Sequence, residues 1–353
     1  MNIGSLKNLL VGVTFLIPGL ALSVEPPLAL ADCVDIADEH RRLACYDRVV
    51  AGSVDETKRK PDMGNTTAGA ASVAAEKPAP PFSASDQKKA AFSLSRHWEL
   101  GSEYKRGTFI FSPHHSNYIL FANHSSSPNN TPYSPSTGEA PKENLASTEV
   151  RFQLSFKMKL FEDVADMPID LWFGYTQETN WQFYNRKSSS PVRETDYQPE
   201  LMLVMPVNFN VLGMRARFFN LGLVHQSNGR SEPLSRSWNR VYAQLGMERD
   251  KFTLTGRLWK RLKESSDEDD NPDITDYMGH GDVLVTYRLG AQVFSVLARN
   301  NFDTGKGAAE MGWEFPLVKN LKGYVEVFSG YGHSVIDYNH SQTTIGLGLL
   351  FNF

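Results

Sequence analysis

From about residue 94 onward the chain alternates apolar with small or polar positions, segment after segment, with a period of two. Such segments run over 108–123, 148–160, 169–177, 200–208, 214–226, 237–246, 252–261, 281–289, 291–300, 308–316, 322–330 and 343–353. A strand presents successive side chains to opposite faces, so each segment predicts a strand with one greasy face. No extended heptad or 3.6-residue pattern competes. The last segment is the cleanest. Ile345, Leu347, Leu349, Phe351 and Phe353 share one face, and Thr344, Gly346, Gly348 and Asn352 share the other, with Leu350 the exception.

The connections alternate as well. Those near Asn210, Arg249, Gly290 and Asn320 are short, whereas 124–147, 178–199, 227–236 and 262–280 are long and polar. Short turns at one end and long loops at the other are the pattern of an outer-membrane barrel, with the long loops outside. The expected fold is all-β, a twelve-stranded antiparallel transmembrane β-barrel over 94–353. An even strand number returns both ends of the barrel to the periplasm, and a terminal phenylalanine on such a strand is typical of bacterial outer-membrane proteins. A soluble barrel is the alternative, and it would hide the same residues in a core.

Composition narrows the classes. The net charge of -4 over 353 residues gives no electrostatic case for nucleic acid. Mean hydropathy is -0.36, and beyond the N-terminus no run of about 18 apolar residues occurs, so helical spans are excluded while strands are not. The first residues read as a secretory signal over 1–31. Lys7 supplies the positive region, 9–22 the apolar region, and Ala29-Leu30-Ala31 the cleavage site. Cys33 and Cys45 are the only cysteines. In an exported chain they predict one disulfide within a small segment over 32–48, the alternative being two free thiols. Residues 49–93 are rich in Ala, Pro, Ser, Thr, Lys and Glu and read as a disordered linker.

Candidate chemistry sits in one hairpin. Ser227, His225, Leu223, Leu221 and Phe219 share a parity that is more apolar than its alternate, which holds Gln226, Val224, Gly222, Asn220 and Phe218. Arg217 and Arg215 continue the first set, but roughly 20–25 Å further down a tilted strand, where charge is tolerated. On the next strand Asn239 shares a parity with Val241, Ala243 and Leu245. Antiparallel pairing through 228–236 then sets His225 beside Asn239 on the barrel exterior, just below one rim. His225 is placed to take the Ser227 proton, and Asn239 to orient the imidazole through its amide oxygen. A neutral asparagine stabilises an imidazolium less than aspartate does, so help at the oxyanion is expected. The candidates are N–H groups around Asn228-Gly229 and a cation held by loop oxygens of Arg230, Glu232 and Ser235. The bland alternative for each polar residue is a side chain lying among lipid headgroups. His-x-Ser alone is a weak signal; the joint placement of three residues on two greasy columns strengthens it.

The segment HQSNGRSEPLSRSWNRVY (225–242) strongly resembles the outer-membrane phospholipase A family of Gram-negative bacteria. Three further segments carry the resemblance: YTQETNWQFYNRKSSSPVRETDYQPEL (175–201), DDNPDITDYMGH (269–280) and FSGYGHSVIDYNHSQTTIGLGL (328–349). It covers roughly 95–353. It implies a twelve-stranded barrel that hydrolyses phospholipid acyl esters at both glycerol positions, and lysophospholipids, with calcium, as a homodimer in the outer membrane. Carried over, the nucleophile falls on Ser227, the base on His225 and the asparagine on Asn239. The dimer's calcium site falls on the Arg230 carbonyl, the Ser235 hydroxyl and the carbonyl of the partner subunit's Ser189. A second calcium site falls on Glu232, where the family usually has aspartate, and Asp270. The dimer-interface glutamine falls on Gln177, whose parity with Leu171, Phe173 and Tyr175 would leave a lone amide on an apolar column, expensive in lipid unless a partner pairs it. The N-terminal cysteine segment and linker have no counterpart in the better-known members.

Other features read more simply. Trp172, Trp181, Tyr175 and Tyr184 form an aromatic belt or line an acyl groove. Most of Asp267-Glu268-Asp269-Asp270 is a solvated loop. His114, His115, His280 and His340 show no metal-ligand spacing. A passive outer-membrane channel or structural barrel is the alternative function, its small interior filled by charged side chains.

Overall fold

A computed structural model describes residues 93–318 and 321–351, and every structural statement below concerns these residues. The expected signal segment, the Cys33 and Cys45 disulfide, nearly all of the linker, and Asn352 and Phe353 lie outside them.

Twelve strands form one wall: β1 (Asn117–Ser125), β2 (Thr148–Phe161), β3 (Asp170–Trp181), β4 (Val192–Val211), β5 (Met214–Ser227), β6 (Ser237–Arg249), β7 (Phe252–Arg261), β8 (Gly281–Leu289), β9 (Gln292–Asn301), β10 (Lys306–Val318), β11 (Leu321–Tyr331) and β12 (Ser341–Phe351). Each pairs antiparallel with its neighbour, and β12 returns to β1, so the sheet closes. Closure carries irregularities at Leu347/Gly348 and Leu120/Asn123. There a Cβ on Gly348 would collide with the Ile119 carbonyl, so glycine is required. At the short-turn end, β4 and β5 join through Leu212 and Gly213, with φ of 50° and 78°. Positive φ at both positions is the type I′ signature, whose twist matches the flanking strands.

The alternation holds. Leu221, Leu223, Ile345 and Leu347 are 48, 52, 56 and 58% exposed on the outer face. Their neighbours Asn220, Gly222, Val224, Thr344 and Gly346 are buried inside. Leu350, the exception in the last strand, packs inward against Tyr118, Leu120 and Tyr324.

Two segments depart from expectation. The 108–123 strand starts only at Asn117, with a two-residue piece, Ser112–Pro113, laid against β2. His114 turns into the lumen to meet Glu200 at 2.7 Å, which interrupts the alternation. The long connection at 178–199 shrinks to 182–191, because β3 and β4 stay paired past the apolar band, with Thr179 opposite Thr195 and Asn180 opposite Glu194. Ladder bonds need backbone, not greasy side chains, so polar sequence there concealed a strand. At 20 residues β4 is far longer than the 9–11 or so that span a bilayer.

Side chains fill the lumen. Lys159 contacts Glu99, Glu162 and Asp170 at 3.2, 2.7 and 2.9 Å. Arg151 meets Glu178 at 3.0 Å and Arg257 meets Asp282 at 2.6 Å. A short helix, α1 (Leu94–His97), starts on the Ser93 side chain. It delivers Trp98 into a cluster with Trp172, Phe218 and His114 at the short-turn end. Trp172 is 1% exposed and takes no part in an outer aromatic belt. Buried charge is costly unless paired, and these groups are paired.

At the long-loop end, Asp337 of the 332–340 connection accepts from Arg193, Asn129 and Ser334 at 3.1, 3.1 and 2.7 Å. Burial opposes its ionisation, but Arg193, Ser334 and Asn129 outweigh it and hold the carboxyl below its usual range. A depressed folded pKa gives stability that is present above the unfolded value and lost as pH falls through the folded one. Asp337→Ala is expected to cost on the order of 3 kcal/mol at pH 7. The gap to wild type should narrow below about pH 4. Guanidinium unfolding of the micelle-bound protein reads both; equal losses at pH 7 and pH 3 would contradict the assignment.

Candidate active site

The hairpin of β5 and β6 carries the three predicted residues. Its register sets His225 opposite Asn239 and Ser227 opposite Ser237. From inside the barrel, Trp238 fixes this register. It is fully buried, its indole N–H donates to Gln226 Oε1 at 2.9 Å, and the Arg240 guanidinium lies 3.8 Å from its ring centroid. On the outer face His225 is exposed, and Asn239 and Ser227 are half-buried.

His225 Nδ1 lies 2.9 Å from Asn239 Oδ1. An amide oxygen only accepts, so Nδ1 carries the proton and Nε2 is left as the acceptor. Among the described residues no hydrogen bond joins Ser227 Oγ to the imidazole. The hydroxyl oxygen accepts the Gly229 N–H at 3.1 Å instead. Of the two expected oxyanion donors, only the Gly229 N–H lies at the nucleophile, on Ser227 Oγ itself, because the Asn228 N–H donates to the Arg236 carbonyl at 3.1 Å.

Asn228 is a residue that sequence reading placed only as a backbone donor. Its side chain, on a residue 4% exposed, organises the 228–236 loop. Oδ1 accepts from the Arg236 and Arg230 N–H groups at 3.0 and 3.3 Å, and Nδ2 donates to Glu194 Oε1 and the Leu234 carbonyl at 2.9 and 2.8 Å. No short-range pattern reports such a role, since Glu194 lies on another strand.

The expected calcium ligands come together in part. Ser235 Oγ donates to Asp270 Oδ2 at 2.5 Å, which joins the first expected site to the second. Glu232 is exposed and has no hydrogen-bond or ion-pair partner among the described residues. Ser189 follows a turn at Arg186–Ser188, is exposed, and has φ of 61°. The carbonyls of Arg230 and Ser189 accept no hydrogen bond among the described residues. In the tetrad, Asp269 binds Arg261 at 2.6 Å rather than standing free in solvent.

Gln177 projects outward as its parity requires, but it is not a lone amide. It accepts from Tyr175 OH at 3.0 Å and donates to Thr179 Oγ1 at 3.4 Å. It pairs with Tyr197, and Tyr197 pairs with Ser227, so the three share one level on the outer wall.

A side-chain cluster and a cleft lie elsewhere among the described residues. His114, His115 and Glu200 gather inside the lumen, which their spacing had not indicated. Glu200 is already bonded by His114 at 2.7 Å and by Tyr242 OH at 2.5 Å, and the Lys157 ammonium sits beside Trp98, the ring that packs on His114. Glu200 is thus occupied by two donors, while His114 Nδ1 is buried without a hydrogen-bond partner among the described residues. A cleft of about 240 Å³ between the 126–147 and 182–191 connections includes Leu145, Gln182, Arg193 and Arg230 in its lining but none of Ser227, His225 and Asn239.

Residues 94–351 match the family model described as phospholipase A1. A relative from Neisseria meningitidis serogroup B is 41% identical over 100% of this chain and 97% of its own length, so the N-terminal segment does have a counterpart. The phospholipase A1 of Escherichia coli K12 is 38% identical over 69% of this chain and 82% of its own. The solved outer membrane phospholipase A from Escherichia coli superposes with a TM-score of 0.63 at 35% identity, covering 70% of this chain and 94% of that one. A Salmonella typhi outer membrane phospholipase dimer with bound calcium gives 0.64 at 38% identity, covering 72% and 95%.

The Asn228 network generates a prediction. Asn228→Ala removes four hydrogen bonds and leaves the buried Glu194 with only its 3.7 Å ion pair to Arg230, at a cost of about 1–3 kcal/mol per unsatisfied group. The 228–236 loop should become protease-sensitive while the barrel keeps its folded, heat-modifiable gel mobility. Unchanged loop cleavage would sink this account.

Proposed function

The chain belongs to the phospholipase A1 family, which hydrolyses phospholipid acyl esters in the outer membrane, and from that premise we propose that Ser227, His225 and Asn239 perform this hydrolysis on the barrel's outer wall. The observation that carries the reading is the 2.9 Å contact from His225 Nδ1 to Asn239 Oδ1. It selects the tautomer whose Nε2 accepts a proton, two residues from a hydroxyl on the same face.

Ser227 Oγ attacks the ester carbonyl as His225 Nε2 takes its proton. The tetrahedral intermediate collapses, His225 protonates the departing glycerol oxygen, and an acyl-serine and a lysophospholipid remain. Water, deprotonated by His225, then releases the fatty acid and restores Ser227. The substrates are the sn-1 and sn-2 esters and lysophospholipids, which reach the wall sideways from the bilayer. The Gly229 N–H supplies one oxyanion donor.

One donor is weak support for that charge, and the loop oxygens fit a hard cation. Arg230 and Ser235, with the carbonyl of the partner subunit's Ser189, would hold one calcium ion, and Glu232 with Asp270 a second. The free Glu232 carboxylate and the Ser235–Asp270 pairing support this donor set. Bound calcium would polarise the developing oxyanion. The Salmonella typhi neighbour, a dimer with bound calcium, supports both the ion and a homodimer, and we assign Gln177 on the outer wall to its interface. In the membrane the long loops face outward, and both barrel termini face the periplasm.

Ser227→Ala is expected to lower fatty-acid release from phospholipid mixed micelles by at least about 10³-fold while the barrel stays folded. A mutant retaining the wild-type rate would refute the nucleophile. Chelating calcium should abolish release by the wild-type protein and calcium should restore it; full activity in excess chelator would refute the cation.

A further inference from the structure

Asn239 poses a problem of its own. Its amide can flip, and a flipped amide would point an N–H pair at His225 and select the wrong tautomer. The structure supplies an answer on the next strand. Asn239 Nδ2 donates to Glu264 Oε1 at 2.8 Å. A carboxylate offers only acceptors, so the NH2 face must turn to Glu264 and the oxygen to His225.

The placement follows from β7 running on past its last ladder residue. The Leu262 N–H donates to the Asn239 carbonyl at 2.8 Å, so Leu262 continues the β6–β7 pairing. Glu264, two residues on, shares the outward parity of Leu258, Lys260 and Leu262. Its second oxygen accepts from Arg261 at 3.1 Å, and Arg261 also binds Asp269 at 2.6 Å and the carbonyls of Asn271 and Pro272. Asn271 in turn accepts the Ser237 N–H at 2.9 Å. The 262–280 connection is thus tied to the hairpin, and Glu264 is held rather than waving.

We propose that Glu264 is the positioning residue of this site: it fixes the Asn239 amide, and its charge, relayed through that amide, stabilises the imidazolium of His225. This rests on the Ser227–His225–Asn239 reading above. It also gives the neutral asparagine part of what an aspartate would supply, with the anion set one residue further back. The other charged groups on the elements around it, Lys260, Arg261, Asp269 and Asp270, make no hydrogen bond to His225 or Asn239.

The test is a double-mutant cycle on the full-length protein in calcium-containing mixed micelles. Glu264→Ala should lower kcat by about ten-fold, as loss of an orienting carboxylate behind a histidine does elsewhere, with little change in KM. In an Asn239→Ala background the same substitution should change nothing further. Glu264→Gln, which keeps the shape, should still lose at least about three-fold. It decides the matter if the alanine variant does not fold. A wild-type kcat for the Glu264 variants, or a full additive loss in the Asn239→Ala background, would overturn the proposal alone. A wild-type rate for Asn239→Ala would instead overturn the triad reading beneath it.

Discussion

Everything in this protein depends on pairing each backbone N–H and C=O where water is absent. A sheet that spans lipid has no tolerable edge, so β12 must meet β1. Closure imposes a strict inside and outside on twelve strands, and that division assigns a side to each side chain. The outside is a greasy band. The inside holds lysine, arginine and glutamate in pairs, with Trp98 and its neighbours filling the short-turn end. The lumen is structural ballast that frees the outer wall for chemistry.

On that wall polar groups must satisfy one another in a row. Neighbouring strands place Gln177, Tyr197 and Ser227 at one level, and His225 beside Asn239, with Glu264 of the connection after β7 behind it. Gln177, His225, Asn239 and Glu264 each have a hydrogen-bond partner, which lowers the cost of an outward position.

Much of this was legible in residue order. Parity alone put Ser227, His225 and Asn239 outward, and the hairpin register that it implied is the one observed. Parity failed where a reason other than side-chain burial governed the backbone. The polar strand beyond the bilayer, Glu194 to Asp196, has ladder bonds but no greasy face, so it resembled a loop. His114 broke the alternation because Glu200, far along the chain, accepts its ring nitrogen. Trp172, from composition a belt residue, turned inward because its own strand's parity and the cation–π contact with Lys159, 5.1 Å from its ring centroid, favour the lumen.

The sequence by itself determined the barrel, its strand count and which columns face lipid, because period-two alternation is a local consequence of strand geometry. It also brought the three candidate residues together, since they sit within fifteen residues of one another. Only the tertiary structure decided how those residues are held. The Asn228 side chain reaches Glu194 on β4, Asn239 reaches Glu264 beyond β7, and Ser235 reaches Asp270 in the following loop. Each of these is a contact between loop ends whose length and course no alternation encodes, and the direction of a hydrogen bond there depends on which acceptor a distant segment brings.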